Sequence, residues 1–363
     1  MKIALYAPLK PASHPVPSGD RLMARLLKSA LEHAGHQVDV VSELRTYLKE
    51  PSSELYSTLK KQAEAECERL SALWLREGAP DLWFTYHPYY KSPDLIGLDL
   101  ARSFSLPYVT AEASYSSRRN IGVWAQSQAE ALAAVEQAAV NICFTRRDQE
   151  GLIKALPTAR TAMLPPFLDS SRVRSLEPNP QPGRLATVAM MREGNKLESY
   201  CMLARALELL LDLPWTLAIA GDGVCRKEVE AAFAAFPPGR VEWHGLKPAE
   251  EVAVLLSEGS IFLWPGCREA YGLSYLEAQA AGLPVVGQAE GGVPEVVVDG
   301  RSGILTPSGD LQAYADAIRL LLTDDVQRKA LAAGALQFAR QERSFQAASE
   351  RLAAILDQFV GGI

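Results

Sequence analysis

Short apolar runs alternate with longer stretches in which apolar residues recur every three or four positions, along almost the whole chain. Lys2–Ala7, Val38–Val41, Leu82–Tyr86, Pro107–Thr110 and Val140–Phe144 read as strands. Between them, Leu22, Leu26, Leu27 and Leu31 share one helical face that Gly35 closes. Leu55, Leu59, Ala63, Leu70 and Leu73 do the same over residues 51–77, and helices are predicted near 94–104, 125–139 and 148–155. A second series follows. Its strands are Leu185–Met190, Thr216–Ala220, Arg240–His244, Ile261–Trp264, Leu283–Val286 and Gly303–Thr306, with helices over 249–256, from Gly272 to Gly282, and over 310–323, 325–341 and 344–359. Strands separated by helices cannot pair as hairpins, so both series predict parallel sheets of the doubly wound α/β class.

Residues 170–183 hold three prolines and one glycine with no periodic pattern, and read as a linker. The chain therefore divides into a Rossmann-like domain over 1–170, a linker over 171–183, and a second domain over 184–343. A last helix over 344–363 has its apolar stripe at Ala348, Leu352, Ile355 and Phe359. A length of 363 residues suits two such domains better than one core.

Composition adds mainly exclusions. The net charge of −6 argues against a dedicated nucleic-acid binder. Five cysteines without short-range pairing read as the reduced thiols of a cytoplasmic protein. The opening apolar run is broken by proline too early for a signal peptide, and no window approaches the roughly 20 apolar residues of a membrane span. The doublets Arg118-Arg119 and Arg146-Arg147 read as solvated surface, although peripheral contact with an anionic membrane is compatible with them.

The candidate chemistry concentrates between Ile261 and Asp310. Pro265 and Gly266 end a strand and open a loop holding Glu269, at the carboxyl end where open α/β sheets bind ligands. Seven residues separate Glu269 from Glu277, which lies about one turn inside the following helix. Ala270 leads into the backbone N–H groups of Tyr271, Gly272 and Leu273 at that helix's start, which suit a phosphate. A phosphate cradle between two carboxylates able to accept from hydroxyls is the outline of a sugar-nucleotide pocket. Arg192 and Lys196, four apart after a strand, suit a diphosphate. Gly19 closes a loop after the first strand, although G-x-G-x-x-G is absent there. Gly221 and Gly223 form a turn after another strand. His87 and Glu112 follow strand ends in the first domain. No D-x-D, H-E-x-x-H, paired C-x-x-C or Walker A motif calls for a metal.

The segment E-A-Y-G-L-x-x-L-E-A-x-A-A-G-L-P-V-V-x-x-x-x-G-G-x-P-E, beginning at Glu269, resembles the signature of the family 4 retaining glycosyltransferases. That family has the GT-B fold, two Rossmann-like domains with parallel sheets facing each other across a cleft. The resemblance implies that Glu277 binds the nucleotide ribose and Glu269 the donor sugar. It places the Gly272 and Leu273 amides on sugar or phosphates, and gives the donor phosphates to Arg192 and Lys196, a pair the family commonly spaces one residue wider. Gly19 would approach the diphosphate, with Ser18-Gly19 where the family has two glycines. Gly221 and Gly223 would line the nucleotide, and Leu246 with Lys247 would meet the base.

The implied reaction moves a sugar from a nucleotide-diphosphate sugar to a hydroxyl of a glycan, lipid or small molecule. It retains anomeric configuration by front-face attack and uses neither a metal nor a further cofactor. The first domain would serve the acceptor, the final helix would cross back onto it, and closure of the domains would exclude water. Where the family's V-T strand runs on to a histidine, this chain has Glu112, so Glu112 or nearby His87 is expected to touch substrate hydroxyls. A nucleotide-sugar epimerase or hydrolase, and a silent glycan-binding protein, are the alternatives.

Overall fold

The computed structural model describes residues 1–15 and 18–361. Its first sheet contains β1 (Lys2–Tyr6), β2 (Gln37–Ser42), β3 (Leu82–Tyr86), β4 (Tyr108–Ala111), β5 (Val140–Cys143) and β6 (Thr161–Met163), in the order β2-β1-β3-β4-β5-β6. All neighbours are parallel, with Ile3 opposite both Val38 and Leu82. The second sheet contains β7 (Arg184–Val188), β8 (Thr216–Ala220), β9 (Val241–Gly245), β10 (Ile261–Leu263), β11 (Val285–Gln288) and β12 (Gly303–Thr306), in the order β12-β11-β10-β7-β8-β9. It too is parallel throughout, and Ile261 lies opposite Leu185. Every residue of β3, β4, β5 and β10 is buried, which is why these strands read as unbroken apolar runs.

In each sheet the winding reverses once, between β1 and β3 in the first and between β7 and β10 in the second. Connections leave opposite faces at such a point, and the loops above it part to leave a crevice at the carboxyl ends of the strands. Four helices matter for what sits there: α1 (Gly19–His33), α2 (Asn195–Glu208), α3 (Leu273–Ala280) and α4 (Phe345–Phe359).

The chain divides into two compact units, Met1–Pro165 joined by the chain end from Gln346, and Pro166–Phe345. Residues 171–183, expected as the interdomain linker, lie within the second unit. Ser171–Arg174 is a short helix, Asn179 N–H donates to Ser257 O (2.8 Å), and Gln181 N–H donates to Glu258 O (2.9 Å). Proline content hid this, because its backbone partners lie far away in sequence. Helix α4 belongs to the first unit, where Arg351 Nε donates to Met163 O (2.6 Å) and His33 Nε2 lies 3.0 Å from Gln346 Oε1.

The helix expected over 94–104 is only Gly97–Ser103. Asp94 stands before it as a buried hub. Its Oδ1 accepts the amides of Ile96 (3.0 Å) and Gly97 (2.7 Å), and its Oδ2 accepts Trp83 Nε1 (3.1 Å), Tyr108 OH (2.8 Å) and the Thr85 hydroxyl. The helix expected to run to 341 is α-helical only over Asp325–Gln337 and ends in a π-helical turn, Phe338–Glu342. Among the described residues no helix is long and apolar enough to cross a membrane, and all five cysteines are free.

Candidate functional site

In the second unit, the loops after β7 and β10 rise side by side above the reversal point. Lys196 is the second residue of α2, which follows the β7 loop. Its Nζ lies 2.5 Å from Glu269 Oε2. The same oxygen accepts Trp264 Nε1 at 3.3 Å, and Lys196 Nζ sits 5.3 Å from the centroid of that indole. Trp264 is fully buried, so two donors and a rigid wall set the direction of the Glu269 carboxylate. Its backbone is held as well: Glu269 N–H donates to Gly266 O (3.0 Å) and Glu269 O accepts Gly292 N–H (3.1 Å).

Gly272 caps the start of α3 with φ 79° and ψ 91°. A Cβ there would lie 2.9 Å from the Tyr275 ring and 3.1 Å from Glu269 Cγ, so both the backbone conformation and the space demand glycine. Tyr275 OH donates to Trp264 O (2.9 Å) and ties α3 under the loop. Tyr275 N–H turns back to Gly272 O (3.2 Å), which leaves the N–H groups of Leu273 and Ser274 without an intrahelical partner, at the positive end of the helix. Tyr271 and Leu273 at that end are buried, whereas Ala270 is exposed. Glu277, half-buried in the second turn, has its carboxyl pushed up by burial.

Arg192 is exposed in the β7 loop, with no ion pair or hydrogen bond from its side chain among the described residues. The two cations thus differ: Lys196 is engaged with Glu269, and Arg192 is not. The Gly221-Asp222-Gly223 turn after β8 lies against that same loop. A Cβ at Gly221 would sit 1.9 Å from Ala189 O, and one at Gly223 would sit 2.1 Å from Met191 O. Leu246 follows β9 and is 77% exposed, an uncovered apolar side chain at the carboxyl edge. One sheet edge therefore carries Arg192, Lys196, Gly221, Gly223, Leu246, Glu269–Leu273 and Glu277.

Gly19, His87 and Glu112 belong to the first unit and form their own cluster at its reversal point. Gly19 opens α1, and Ser18 before it caps the helix by accepting Arg21 N–H at 3.2 Å. The next residue, Asp20, places Oδ1 3.1 Å from His87 Nδ1. Sequence reasoning did not single out Asp20, because an acid in a first helical turn is common dipole compensation. His87 and Glu112 both have φ 59°, rare for residues with a Cβ. Both keep their sheet bonds, His87 N–H to Ala111 O (2.7 Å) and Glu112 N–H to Ile142 O (2.8 Å). Two strained residues ending adjacent strands point to a functional edge.

Burial alone would lower the His87 pKa, but Glu112, Asp20 and Asp148 outweigh it and lift the imidazole to about 9. Burial raises Glu112, against the pull of His87 and the Tyr86 hydroxyl, to about 7. Burial also opposes ionisation of Asp20, but its bond to His87 prevails and the carboxyl is lowered. His87 is thus a fixed cation at neutral pH and Glu112 is poised to titrate.

The model of the family described as Glycosyl transferases group 1 matches residues 183–324. Over that segment the chain is similar to the group 1 glycosyltransferases. The segment takes in Arg192, Lys196, Glu269 and Glu277, and so the whole edge just described. A D-inositol 3-phosphate glycosyltransferase of Corynebacterium urealyticum is 43% identical over 93 residues, 26% of this chain and 22% of that protein. A GDP-mannose-dependent alpha-(1-6)-phosphatidylinositol monomannoside mannosyltransferase of Mycolicibacterium smegmatis is 31% identical over 227 residues, 55% of this chain and 57% of that protein. The matched segments thus span well under two thirds of these relatives. Among solved structures, HepE of Anabaena in complex with UDP-glucose is similar at a TM-score of 0.69 and 17% identity, covering 99% of this chain and 100% of that one. Each unit of this chain carries the parallel six-stranded sheet of the GT-B fold.

Proposed function

We propose that the chain is a retaining glycosyltransferase that moves a sugar from a nucleotide-diphosphate sugar to a hydroxyl group without using a metal ion. The observation that carries this is the Lys196–Glu269 pair at the reversal point of the second sheet, beside the first-turn amides of α3. As the bond from the sugar's anomeric carbon to the diphosphate breaks, negative charge collects on the phosphate oxygens. Arg192, Lys196 and the α3 amides are placed to receive that charge, and fixed donors stabilise developing anions without reorganising. Glu269 and Glu277, whose side chains accept when ionised, read the hydroxyls of sugar and ribose. The departing phosphate oxygen takes the proton of the attacking hydroxyl. Relatives named for inositol-phosphate and GDP-mannose chemistry, and a UDP-glucose complex of the same fold, support a nucleotide-sugar donor.

A thermal-shift screen against UDP-, GDP- and ADP-sugars tests donor binding, since a ligand at 100 times its Kd adds ~2.7 kcal/mol of stability. The binding donor, given hydroxyl acceptors, should release nucleotide only when an acceptor is present, with retention at the anomeric carbon by NMR and with EDTA making no difference. Stabilisation by none of the three overturns the donor reading, and acceptor-independent release makes the protein a hydrolase.

In the first unit, Glu112 and the Asp20-oriented His87 are the residues proposed to hold acceptor hydroxyls. Ionised Glu112 accepts from a hydroxyl, whereas its acid form competes as a donor. Acceptor kcat/KM is therefore expected to rise with pH through about 7, the value to which burial lifts this carboxyl, and Glu112→Gln should flatten that rise. An unchanged inflection in the variant would remove Glu112 from the site. Stability runs the other way: His87, with its folded pKa raised to about 9, stabilises most below its ordinary value and loses that contribution as pH rises through about 9. Glu112, also raised, disfavours the fold once ionised.

A further inference from the structure

We propose that Asn195 and Arg268 are positioning residues that lock the start of α2 onto the loop carrying Glu269. The proposal rests on the donor-site reading above. Four residues near the start of α2 bind three consecutive residues of that loop. Ser199 Oγ accepts Cys267 N–H at 3.0 Å. Asn195 Oδ1 accepts Arg268 Nε at 3.0 Å, and Asn195 Nδ2 returns a bond to Arg268 O at 3.3 Å. Glu198 pairs with the Arg268 guanidinium, and Lys196 pairs with Glu269. Asn195 thus holds both the side chain and the backbone of Arg268, and the next residue on each element forms the functional pair.

Two features point past ordinary stability. Arg268 has φ 51°, a conformation that glycine would adopt without strain, yet the position carries a long cationic side chain. Arg268 and Glu198 are also exposed, with side chains at 60% and 52%, where water screens an ion pair and leaves it little stabilising value. What the clamp supplies is geometry. Lys196 and Glu269 come from elements 73 residues apart, and their 2.5 Å separation survives only while helix and loop keep their register. Misplacement of a positioned group by about 1 Å costs on the order of 10²-fold in rate.

The test is a mutant cycle on the full-length chain, with donor and acceptor kinetics and thermal midpoints. Asn195→Ala and Arg268→Ala should each lower kcat by about tenfold, with donor KM changed far less, as expected for misaligned catalytic groups. The double variant should be no slower than the slower single one, because both remove the same clamp. Arg268→Lys, which still donates to Asn195 but lacks the fork, should recover part of the loss. Arg268→Gly relieves the strained backbone but deletes the clamp, and should remain slow. No variant should melt below wild type, and Arg268→Gly should melt at or above it. Wild-type kcat in Asn195→Ala and Arg268→Ala, additive losses in the double variant, or losses that follow falling midpoints would each overturn the proposal. Lys196→Ala separates the two levels. If it is impaired while the clamp variants are normal, only the clamp fails; if it is itself normal, the donor-site reading fails.

Discussion

Lys196→Ala is expected to lower kcat by at least ~10²-fold, the scale for removing one donor from a developing anion, while the protein stays folded. The asymmetry follows from exposure. The Lys196 and Glu269 side chains are 29% and 15% exposed, so water partly screens their attraction, and losing it costs about 1–3 kcal/mol of stability. Glu269 keeps Trp264 Nε1 as a donor after the change. On the proposed mechanism the same ammonium, with Arg192 and the α3 amides, meets the charge that builds on the departing phosphate. Arg192 is exposed, with no side-chain partner among the described residues, so Arg192→Ala should show the same loss of turnover with still less effect on folding. Steady-state kinetics beside a thermal melt checks this, and wild-type turnover in Lys196→Ala would remove the lysine from the reaction.

Asp94→Ala should destabilise the first unit by ~3–5 kcal/mol, the range for removing one partner from a buried charged network. The carboxylate takes two amides at the head of the Gly97–Ser103 helix and three side-chain donors from β3 and β4. Each donor left buried without a partner costs about 1–3 kcal/mol, but water entering the vacated space satisfies some of them, so the total falls short of the sum. Asp94→Asn retains Oδ1 for the amides and turns its own N–H groups toward hydroxyls that can reorient, so its loss should be smaller. Urea denaturation measures both; a change under ~1 kcal/mol in Asp94→Ala, typical of a surface substitution, would show that the hub is dispensable.

Both predictions concern residues whose visibility in the sequence differed. Lys196, Glu269, Gly272 and Glu277 stood out because they sit where an apolar run gives way to helical spacing. Asp94 did not: it lies at the edge of a helical pattern, and four of its five donors are more than two residues away, Tyr108 being 14 distant. Asp20 was hidden in the same way, 67 residues from His87. The strand Thr161–Met163 escaped notice because three half-buried residues at a sheet edge have no period to read.

Sequence by itself determined the α/β class, the two parallel series and the residues at the strand-to-helix junctions. These follow from hydrophobic periodicity and turn chemistry, which act over a few neighbouring residues. Tertiary structure decided which junctions meet. Only the strand order β12-β11-β10-β7-β8-β9 sets the β7 and β10 loops side by side, and only β2-β1-β3-β4-β5-β6 brings α1 against the end of β3. The charged pairs Lys196–Glu269 and Asp20–His87 exist because each sheet reverses its winding at those strands, and a reversal is a property of the whole crossover path that no local stretch of chain encodes.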